Sequence, residues 1–224
     1  MRFEDRFAAG RELAKYLVPY RHRSDVLVLA LPRGGVPVAF EVAKSLDAPL
    51  DVFLVRKLGV PGHEELAMGA VASGGVRTLN RDVVGPLRIP KHVIEYVAQN
   101  ELAEIERQQL AFRHGRIDPQ IEERIVVLVD DGLATGSTMQ AAVQALRERR
   151  PKRIVVAVPV GAAESCAELR MIADEVICPV CPQNFVSVGS WYDDFRQTQD
   201  DTVTTLLEYA SRARQEKAPA AQLH

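Results

Sequence analysis

The sequence predicts an α/β fold with a mainly parallel, twisted sheet flanked by helices. Short runs of Val, Ile and Leu, typical of strands buried on both faces, alternate along the chain with amphipathic segments long enough to form helices. This alternation implies right-handed crossovers between neighbouring parallel strands. With 224 residues, of which 47% are hydrophobic, the chain can build a substantial core, and we predict one domain over 1–224.

Each predicted strand is a short apolar run bounded by charged or turn-forming residues. The first run starts at Asp25 and stops before Pro32, as expected of a short buried strand. The strands are predicted over 25–31, 50–58, 124–130, 153–160 and 174–180.

The helices are predicted between these runs, where apolar residues recur with helical spacing. The opening helix, for example, is indicated by Phe3, Phe7, Leu13 and Leu17. The helices are predicted over 3–17, 36–46, 90–113, 137–150, 162–173 and 202–214.

Two segments fall outside this pattern. Short alternations around Gly74 and Gly75, within 69–84, predict a hairpin outside the main sheet. The last residues, 215–224, are predicted to form a frayed tail.

The charge totals argue against a nucleic-acid partner. The chain has 28 basic and 30 acidic residues, a net charge of −2 and no long block of one sign. No stretch approaches ~18 consecutive apolar residues, and the charged, amphipathic start is unlike a secretion signal. We therefore expect a cytoplasmic protein without a membrane segment, which meets any anionic ligand through local groups.

The cysteine content agrees with a reducing compartment. Cys166, Cys178 and Cys181 leave an odd thiol in any disulfide scheme. Cys178 and Cys181 form a CxxC, but no second CxxC accompanies it and it does not begin a predicted helix. We interpret the pair as small residues at the end of a strand and expect no zinc site.

The segments that follow the predicted strands are candidates for the functional site, because ligands of parallel sheets bind at the carboxyl ends of the strands. Four segments meet this condition: 32–35, 56–69, 130–138 and 160–162.

The strongest of these signals is VLVDDGLATGSTM, over 127–139. Its Gly, Ser and Thr residues connect a strand to a helix, so that backbone N–H groups and hydroxyls converge at a helix N-terminus, which suits an anion. Asp130 and Asp131 precede this cradle, where carboxylates can bind a vicinal diol or support Mg²⁺. No lysine precedes Ser137, which excludes a Walker A loop. Acids beside a phosphate cradle indicate a sugar phosphate.

This stretch resembles the phosphoribosyl-diphosphate (PRPP) binding motif of the type I phosphoribosyltransferases. The resemblance implies that Asp130 and Asp131 hold the ribose hydroxyls and, with Asp193, support Mg²⁺. It also implies a 5′-phosphate site formed by Ala134, Thr135, Gly136, Ser137 and Thr138.

By the same resemblance, LPRGG is the pyrophosphate loop. Gly34 and Gly35 allow the backbone to approach the ligand closely, and Arg33 offers a bidentate fork for phosphate oxygens. A strand-to-helix turn also uses such residues for its geometry alone, so both interpretations stay open for this segment taken by itself.

The segment that follows, VRKLGVPGHEELAMGAV, resembles the mobile catalytic loop of these enzymes. We expect a flexible loop and hairpin over 57–84, with Arg56 and Lys57 neutralising charge on the departing pyrophosphate. For His63, which lies near the predicted site, we favour a solvated loop histidine over a catalytic role, and both interpretations stay open. The residues expected to hinge the loop are Gly59, Pro61, Gly62 and Gly69.

Near the C-terminus, the segment 184–200 resembles the base-covering segment of purine phosphoribosyltransferases. The aromatics there either stack on the base or cap the core. Asp193 or Asp194 supplies the acid of this segment. The residues proposed to bind the base are Phe185, Trp191 and Tyr192.

One position bears on the acceptor. The 6-oxopurine enzymes carry an aspartate before the Thr-Gly pair, where this chain has Ala134, which is closer to the adenine-type motif. The difference removes one candidate general base and argues against hypoxanthine or guanine.

Three functions are compatible with these features. The first is a Mg²⁺-dependent phosphoribosyltransferase of purine salvage, which takes PRPP and a nucleobase-like acceptor and can form a homodimer. The second is a PRPP-sensing regulator with little catalysis, since fold and motif do not separate a sensor from an enzyme. A kinase-like nucleotide binder ranks last, because it lacks the phosphate-loop lysine.

Overall fold

The computed structural model describes residues 2–113 and 118–217 of the 224-residue chain. Five parallel strands form the main sheet in the order β2-β1-β6-β7-β8, and three antiparallel strands form a second sheet in the order β3-β4-β5. The predicted α/β class with a parallel sheet is confirmed. The strands are β1 (Val26–Ala30), β2 (Leu50–Val52), β3 (Val55–Val60), β4 (His63–Ala72), β5 (Val76–Leu79), β6 (Ile125–Val129), β7 (Arg153–Ala157) and β8 (Glu175–Ile177).

Helices cover both faces of the main sheet. The first, second, fourth and seventh helices contribute to the core on one face, and the fifth and sixth pack on the other. The helices are α1 (Arg6–Ala14), α2 (Gly35–Leu46), α3 (Arg81–Val84), α4 (Lys91–Arg113), α5 (Ser137–Glu148), α6 (Ala163–Arg170) and α7 (Asp200–Lys217). None of the helices in residues 2–113 and 118–217 is both long and apolar enough to cross a membrane.

The continuous apolar strands are explained by this two-sided packing. In β1, Val26, Val28 and Ala30 belong to the core on one face, while Leu27 and Leu29 belong to the core on the other. Because successive side chains of a strand point to opposite faces, a strand covered on both sides needs apolar residues at every position. The same reason explains why all five residues of β6, the middle strand of the sheet, are apolar and buried.

The strand predicted over 50–58 is wrong as a single element. The chain leaves the main sheet after β2 and enters the second sheet at β3, with Phe53 and Leu54 buried between them. At this point Ser73, itself buried, donates its backbone N–H to the carbonyl of Leu54 at 2.8 Å and accepts the Leu54 N–H on its hydroxyl at 3.0 Å. The apolar run over 52–55, where the chain changes sheet, carries no sign of this change.

The segment 57–84, predicted as a flexible loop and hairpin, is built of regular structure. Its first part pairs β3 with β4 in antiparallel register, and Gly62 turns between them with φ of 81°. The predicted hairpin around Gly74 and Gly75 joins β4 to β5. This segment therefore forms most of an antiparallel sheet, which packs against α4 and α5.

Only part of the predicted frayed tail lies within the described residues. Residues 215–217 belong to α7, and 218–224 lie outside the described residues. The single domain over 1–224 stays a prediction.

Candidate functional site

The two predicted acids lie at the carboxyl end of the central strand. Asp130 and Asp131 follow β6 directly, and the backbone N–H of Asp131 donates to Asp130 Oδ1 at 2.8 Å. The parallel strands on either side of β6 end at the same edge, which brings the turns after them close to the acids.

The Pro32–Gly35 turn packs directly against this acid pair, as its glycines suggested. A Cβ on Gly34 would lie 2.1 Å from Asp131 Oδ2, and one on Gly35 would lie 2.8 Å from the carbonyl oxygen of Val129. The Pro32–Arg33 peptide bond is cis. Only glycine fits at these two positions, so the turn and the acids form one unit.

The predicted phosphate loop begins α5. Gly136 caps the helix with φ of 69°, and the hydroxyl oxygens of Thr135 and Ser137 lie 3.3 Å apart. From behind, Ser165 donates its hydroxyl to the carbonyl of Ala134 at 2.5 Å. The first-turn N–H groups of a helix have no intrahelical acceptor, so these hydroxyls and amides together can bind a phosphate-sized anion.

Lys57 lies beside this loop. Its Nζ is 3.4 Å from Ser137 Oγ, which puts the ammonium at the predicted 5′-phosphate site, although the sequence indicated the departing pyrophosphate. The neighbouring Arg56 forms an ion pair with Glu101 at 2.6 Å. The two adjacent cations therefore have different partners, because successive side chains of β3 point to opposite faces.

Two cavities adjoin the turn and the loop. The first, of about 340 Å³, lies between Arg33, Arg56 and Thr138. The second, of about 530 Å³, shares Arg56 and Thr138 with the first and extends to Lys57. These volumes suit small ligands, and in the first cavity three arginines outnumber the two acids Glu104 and Asp200, which favours an anionic ligand there.

Sequence reasoning missed the charged residues that α4 and α7 add to the first cavity. Asp200 pairs with Arg33 at 3.3 Å, and Arg107 lies on the same wall. Arg107 donates two hydrogen bonds to Glu104, at 2.7 and 2.8 Å, which lower the pKa of Glu104 to about 2. A charged face on a long helix usually indicates solvent exposure, so no sequence signal identifies these residues.

Arg6 is the most important residue that sequence reasoning missed. Its Nε donates to Asp131 Oδ2 at 2.8 Å, and the two side chains are only 10% and 15% exposed. Its guanidinium carbon lies 4.0 Å from the ring centroid of Phe195, and Nη1 donates to the carbonyl of Arg196 at 2.8 Å. Arg6 thus holds Asp131 between the N-terminal helix and the segment before α7.

The acid pair is costly to ionise in this setting. Burial and the neighbouring Asp131 charge raise the pKa of Asp130 well above its usual range. Burial also raises the pKa of Asp131, and the hydrogen bond from Arg6 opposes that rise. A site with two buried carboxyls and one arginine favours an additional cation or hydroxyl donors.

Replacing Arg6 by alanine is expected to destabilise the fold by about 3 kcal/mol at neutral pH, because it leaves a buried carboxylate without its partner. The contact stabilises the ionised form of Asp131, so the loss shrinks as pH falls and the carboxyl takes up a proton. Urea unfolding at several pH values measures this. Arg11→Ala is the control, because Arg11 lies on the same helix and pairs with Glu41 at a longer distance, 3.5 Å, while its own side chain is 55% exposed. Equal losses for Arg6→Ala at neutral pH and near pH 4 would contradict the assignment.

The predicted base-binding aromatics do not form one open surface. Tyr192 is only 2% exposed and donates its hydroxyl to the carbonyl of Asp131 at 2.6 Å. A ring buried in this way leaves no open face for a ligand in this structure, and its hydroxyl supports the acid pair from behind. Base binding by Tyr192 stays a prediction, which this arrangement does not favour. Phe185 and Trp191 are half-buried against the small cluster that contains Tyr192 and Phe3.

Asp193, the predicted third metal ligand, points to a different partner. Its Oδ1 lies 3.3 Å from Arg2 Nε, and both side chains are more than half exposed. Its backbone N–H donates to the carbonyl of Phe3 at 2.8 Å. The structure therefore ties Asp193 to the N-terminal segment and not to the acid pair. His63 begins β4 and is exposed, as expected of a solvated histidine.

Comparisons with known proteins agree with this geometry. The family model described as "Phosphoribosyl transferase domain" matches residues 3–196. "Putative phosphoribosyl transferase Rv0571c" of Mycobacterium tuberculosis is 48% identical over 210 residues, covering 94% of this chain and 47% of that protein. The chain thus spans about half the length of the curated relatives it matches.

Two solved structures are also similar. TT1426 from Thermus thermophilus shares 42% identity and a TM-score of 0.83, covering 92% of this chain and 98% of that one. AQ2163 from Aquifex aeolicus, at 11% identity and a TM-score of 0.50, covers 82% of this chain and 78% of that one, a likeness of fold alone. Because the family model spans most of the sequence and includes the acid pair, the phosphate loop and the glycine turn, the chain belongs to the phosphoribosyl transferase domain family.

Proposed function

We propose that this domain transfers the phosphoribosyl group of PRPP to a nitrogenous base and releases pyrophosphate, with Mg²⁺ as cofactor. The proposal depends chiefly on one observation. The paired acids after β6, the phosphate loop at the start of α5 and the glycine turn before α2 lie at one edge of the sheet, and the turn touches the acids.

Each part of this edge fits one part of PRPP. The carboxylates of Asp130 and Asp131 accept hydrogen bonds from the ribose hydroxyls. The loop over 134–138, with Lys57 beside it, binds the 5′-phosphate. The backbone amides of Gly34 and Gly35, together with Arg33, hold the pyrophosphate.

The reaction needs positioning and charge stabilisation more than covalent help from the protein. A ring nitrogen of the acceptor forms a bond to C1, on the face opposite the leaving group. The bond from C1 to the pyrophosphate oxygen breaks and its electron pair leaves with pyrophosphate, while the acceptor's proton passes to solvent. Arg33 and Arg56 line the adjoining cavity and stabilise the departing charge.

Mg²⁺ fits the residues present. Carboxylate oxygens are the ligands that this hard cation prefers, and burial, which raises the pKa values of Asp130 and Asp131, makes their ionised forms costly unless a cation such as Mg²⁺ is bound beside them. Bound there with pyrophosphate, the ion would neutralise phosphate oxygens. Asp193 stays a proposed third ligand, although in this structure it pairs with Arg2.

For the acceptor, we propose an adenine-like base in purine salvage within the cytoplasm. Ala134 replaces the acid that the 6-oxopurine enzymes carry at this point, and its side chain cannot exchange a proton with the base. Phe185 and Trp191 remain candidates for base contact, since both are half-buried and neither is closed off as Tyr192 is. The homodimer stays a prediction.

A second candidate is a PRPP-sensing regulator, which the Arg6–Asp131 contact favours. Arg6 already occupies one carboxylate oxygen that the ribose hydroxyls would use. A sensor can exploit such an internal partner, because ligand binding then breaks a contact between α1 and the site.

A screen of nucleobases for pyrophosphate release separates the two functions. The protein is incubated with PRPP, Mg²⁺ and one base at a time, and released pyrophosphate is measured alongside PRPP binding by calorimetry. Base-dependent release supports the transferase and identifies the acceptor. Binding of PRPP without pyrophosphate release supports the sensor. If the protein neither binds PRPP nor releases pyrophosphate, the PRPP assignment is overturned.

A further inference from the structure

Three cysteine thiols, one from a helix and two from the segment after the last strand, meet at the edge of the main sheet. Cys166 lies in α6, Cys178 directly follows β8, and Cys181 lies in the next loop. Their sulfur atoms all lie within 4.8 Å of one another, and all three cysteines are free. The CxxC spacing of Cys178 and Cys181 did not reveal this cluster, because its third member comes from a different element.

The backbone around the cluster is held in place by other contacts. The N–H of Gly161 donates to the carbonyl of Val180 at 3.0 Å, which fixes the loop between Cys178 and Cys181 against the end of β7. A Cβ on Gly161 would lie 3.0 Å from Cys166 Sγ and 3.3 Å from Cys178 Sγ. The absence of a side chain there leaves room for the sulfur atoms, so the fold itself gathers them.

The sulfur spacing suits one metal ion. Zinc binds thiolates at about 2.3 Å in a tetrahedron, so its sulfur ligands lie roughly 3.8 Å apart. Thiols within 4.8 Å of one another reach that separation by small side-chain rotations. Cys166 is buried and Cys181 is exposed, so a fourth coordination position would face solvent.

The thiolate ligands and the net charge of the site indicate which metal ion would bind. Thiolates are soft ligands and favour zinc over the hard cations that bind carboxylates. Zn²⁺ with three thiolates carries one negative charge. Arg170 follows Cys166 by four residues on α6 and interacts electrostatically with it, which offsets this charge.

We infer that Cys166, Cys178 and Cys181 form a binding site for Zn²⁺ with three thiolate ligands and one open position. The ion would join the loop after β8 to α6. Ser165, the neighbour of Cys166, donates its hydroxyl to the carbonyl of Ala134 in the phosphate loop at 2.5 Å. The metal would therefore stiffen the support of that loop, whether the domain catalyses or senses.

The test is zinc binding by the reduced, metal-stripped protein. Zn²⁺ is titrated in competition with a chromophoric chelator, and Co²⁺ is used as a second probe, since thiolate ligation gives it an intense charge-transfer absorption. We expect one ion per chain. Cys181→Ser, chosen because Cys181 is exposed, should weaken zinc binding at least about tenfold, since even residues outside the ligand set change affinity by 10- to 100-fold. Cys178→Ser should have the same effect.

Two controls locate the site. His92→Ala removes an exposed potential ligand on α4 and should leave zinc affinity unchanged. Asp130→Asn combined with Asp131→Asn should also leave it unchanged, which separates this site from the acid pair. Unchanged zinc affinity in Cys181→Ser, or no zinc uptake by the reduced protein, would overturn the inference. The inference would also be wrong if the oxidised protein lost the mass of two hydrogen atoms and the reduced protein took up no zinc. The cysteines would then form a disulfide pair and not a metal site.

Discussion

Asp130→Asn is expected to weaken PRPP binding while it stabilises the folded protein at neutral pH. The carboxylate is proposed to accept a hydrogen bond from a ribose hydroxyl, and hydrogen bonds to charged groups contribute about 1.5–3 kcal/mol. A single replacement should therefore cost roughly 10- to 100-fold in affinity. The double variant with Asp131→Asn should lose at least about 100-fold.

The stability change has the opposite sign because the carboxyl is buried. The pKa of Asp130 is raised in the folded state, so ionising it disfavours folding at pH values above its ordinary value of about 3.9. Asparagine removes that penalty. The gain in unfolding free energy should be present at neutral pH and vanish as pH falls towards 3.9. Asp131→Asn should stabilise less, because Arg6 then loses its counter-charge.

Calorimetry of PRPP with Mg²⁺ and urea unfolding at two pH values check both halves of this prediction. Asp82→Asn is the control, since Asp82 is exposed on α3. If the double variant bound PRPP as tightly as the unmodified protein, the ribose assignment of the acid pair would be wrong. If Asp130→Asn were less stable than the unmodified protein at neutral pH, the stability prediction would be wrong. The buried Asp130 carboxyl would then have to be ionised, with its charge well compensated by neighbouring groups.

Lys57→Ala is expected to weaken the binding of ribose 5-phosphate and to leave the binding of pyrophosphate unchanged. The ammonium lies 3.4 Å from Ser137 Oγ in the loop proposed to hold the 5′-phosphate. Loss of one charged contact to phosphate should cost about tenfold or more. This expectation differs from that of a lysine acting on the departing pyrophosphate, which would lower turnover more than affinity.

Separate titrations with ribose 5-phosphate and with pyrophosphate distinguish these roles. Lys91→Ala serves as the control, because Lys91 is exposed and pairs with Glu95 on its own helix, at 3.5 Å. A selective loss of pyrophosphate affinity in Lys57→Ala would return Lys57 to the leaving group. Unchanged affinity for both ligands would remove it from the site.

Local patterns explain which parts of the fold were predictable. Each predicted helix overlaps a helix of the structure, since an amphipathic period of 3.6 residues is encoded by residues close in sequence. The apolar runs identified the strands of the parallel sheet for the same reason. The run over 50–58 failed because apolar residues are equally suitable for either sheet, and the change at Phe53 and Leu54 depends on contacts with Ser73.

The candidate site likewise has parts that the sequence predicts and parts that depend on the tertiary structure. By itself, the sequence determined where the acid pair, the predicted phosphate loop and the glycine turn lie, because each is a short motif at a strand end, where the geometry of parallel sheets concentrates ligands. Only the tertiary structure decided that Arg6 pairs with Asp131 across 125 residues, that Lys57 lies at the phosphate loop, and that Tyr192 is buried. Cys166, Cys178 and Cys181 likewise meet only after β7, α6 and β8 have packed. Such contacts join residues from separate elements, and a side chain's partner across the fold depends on how those elements pack, which no short stretch of sequence encodes.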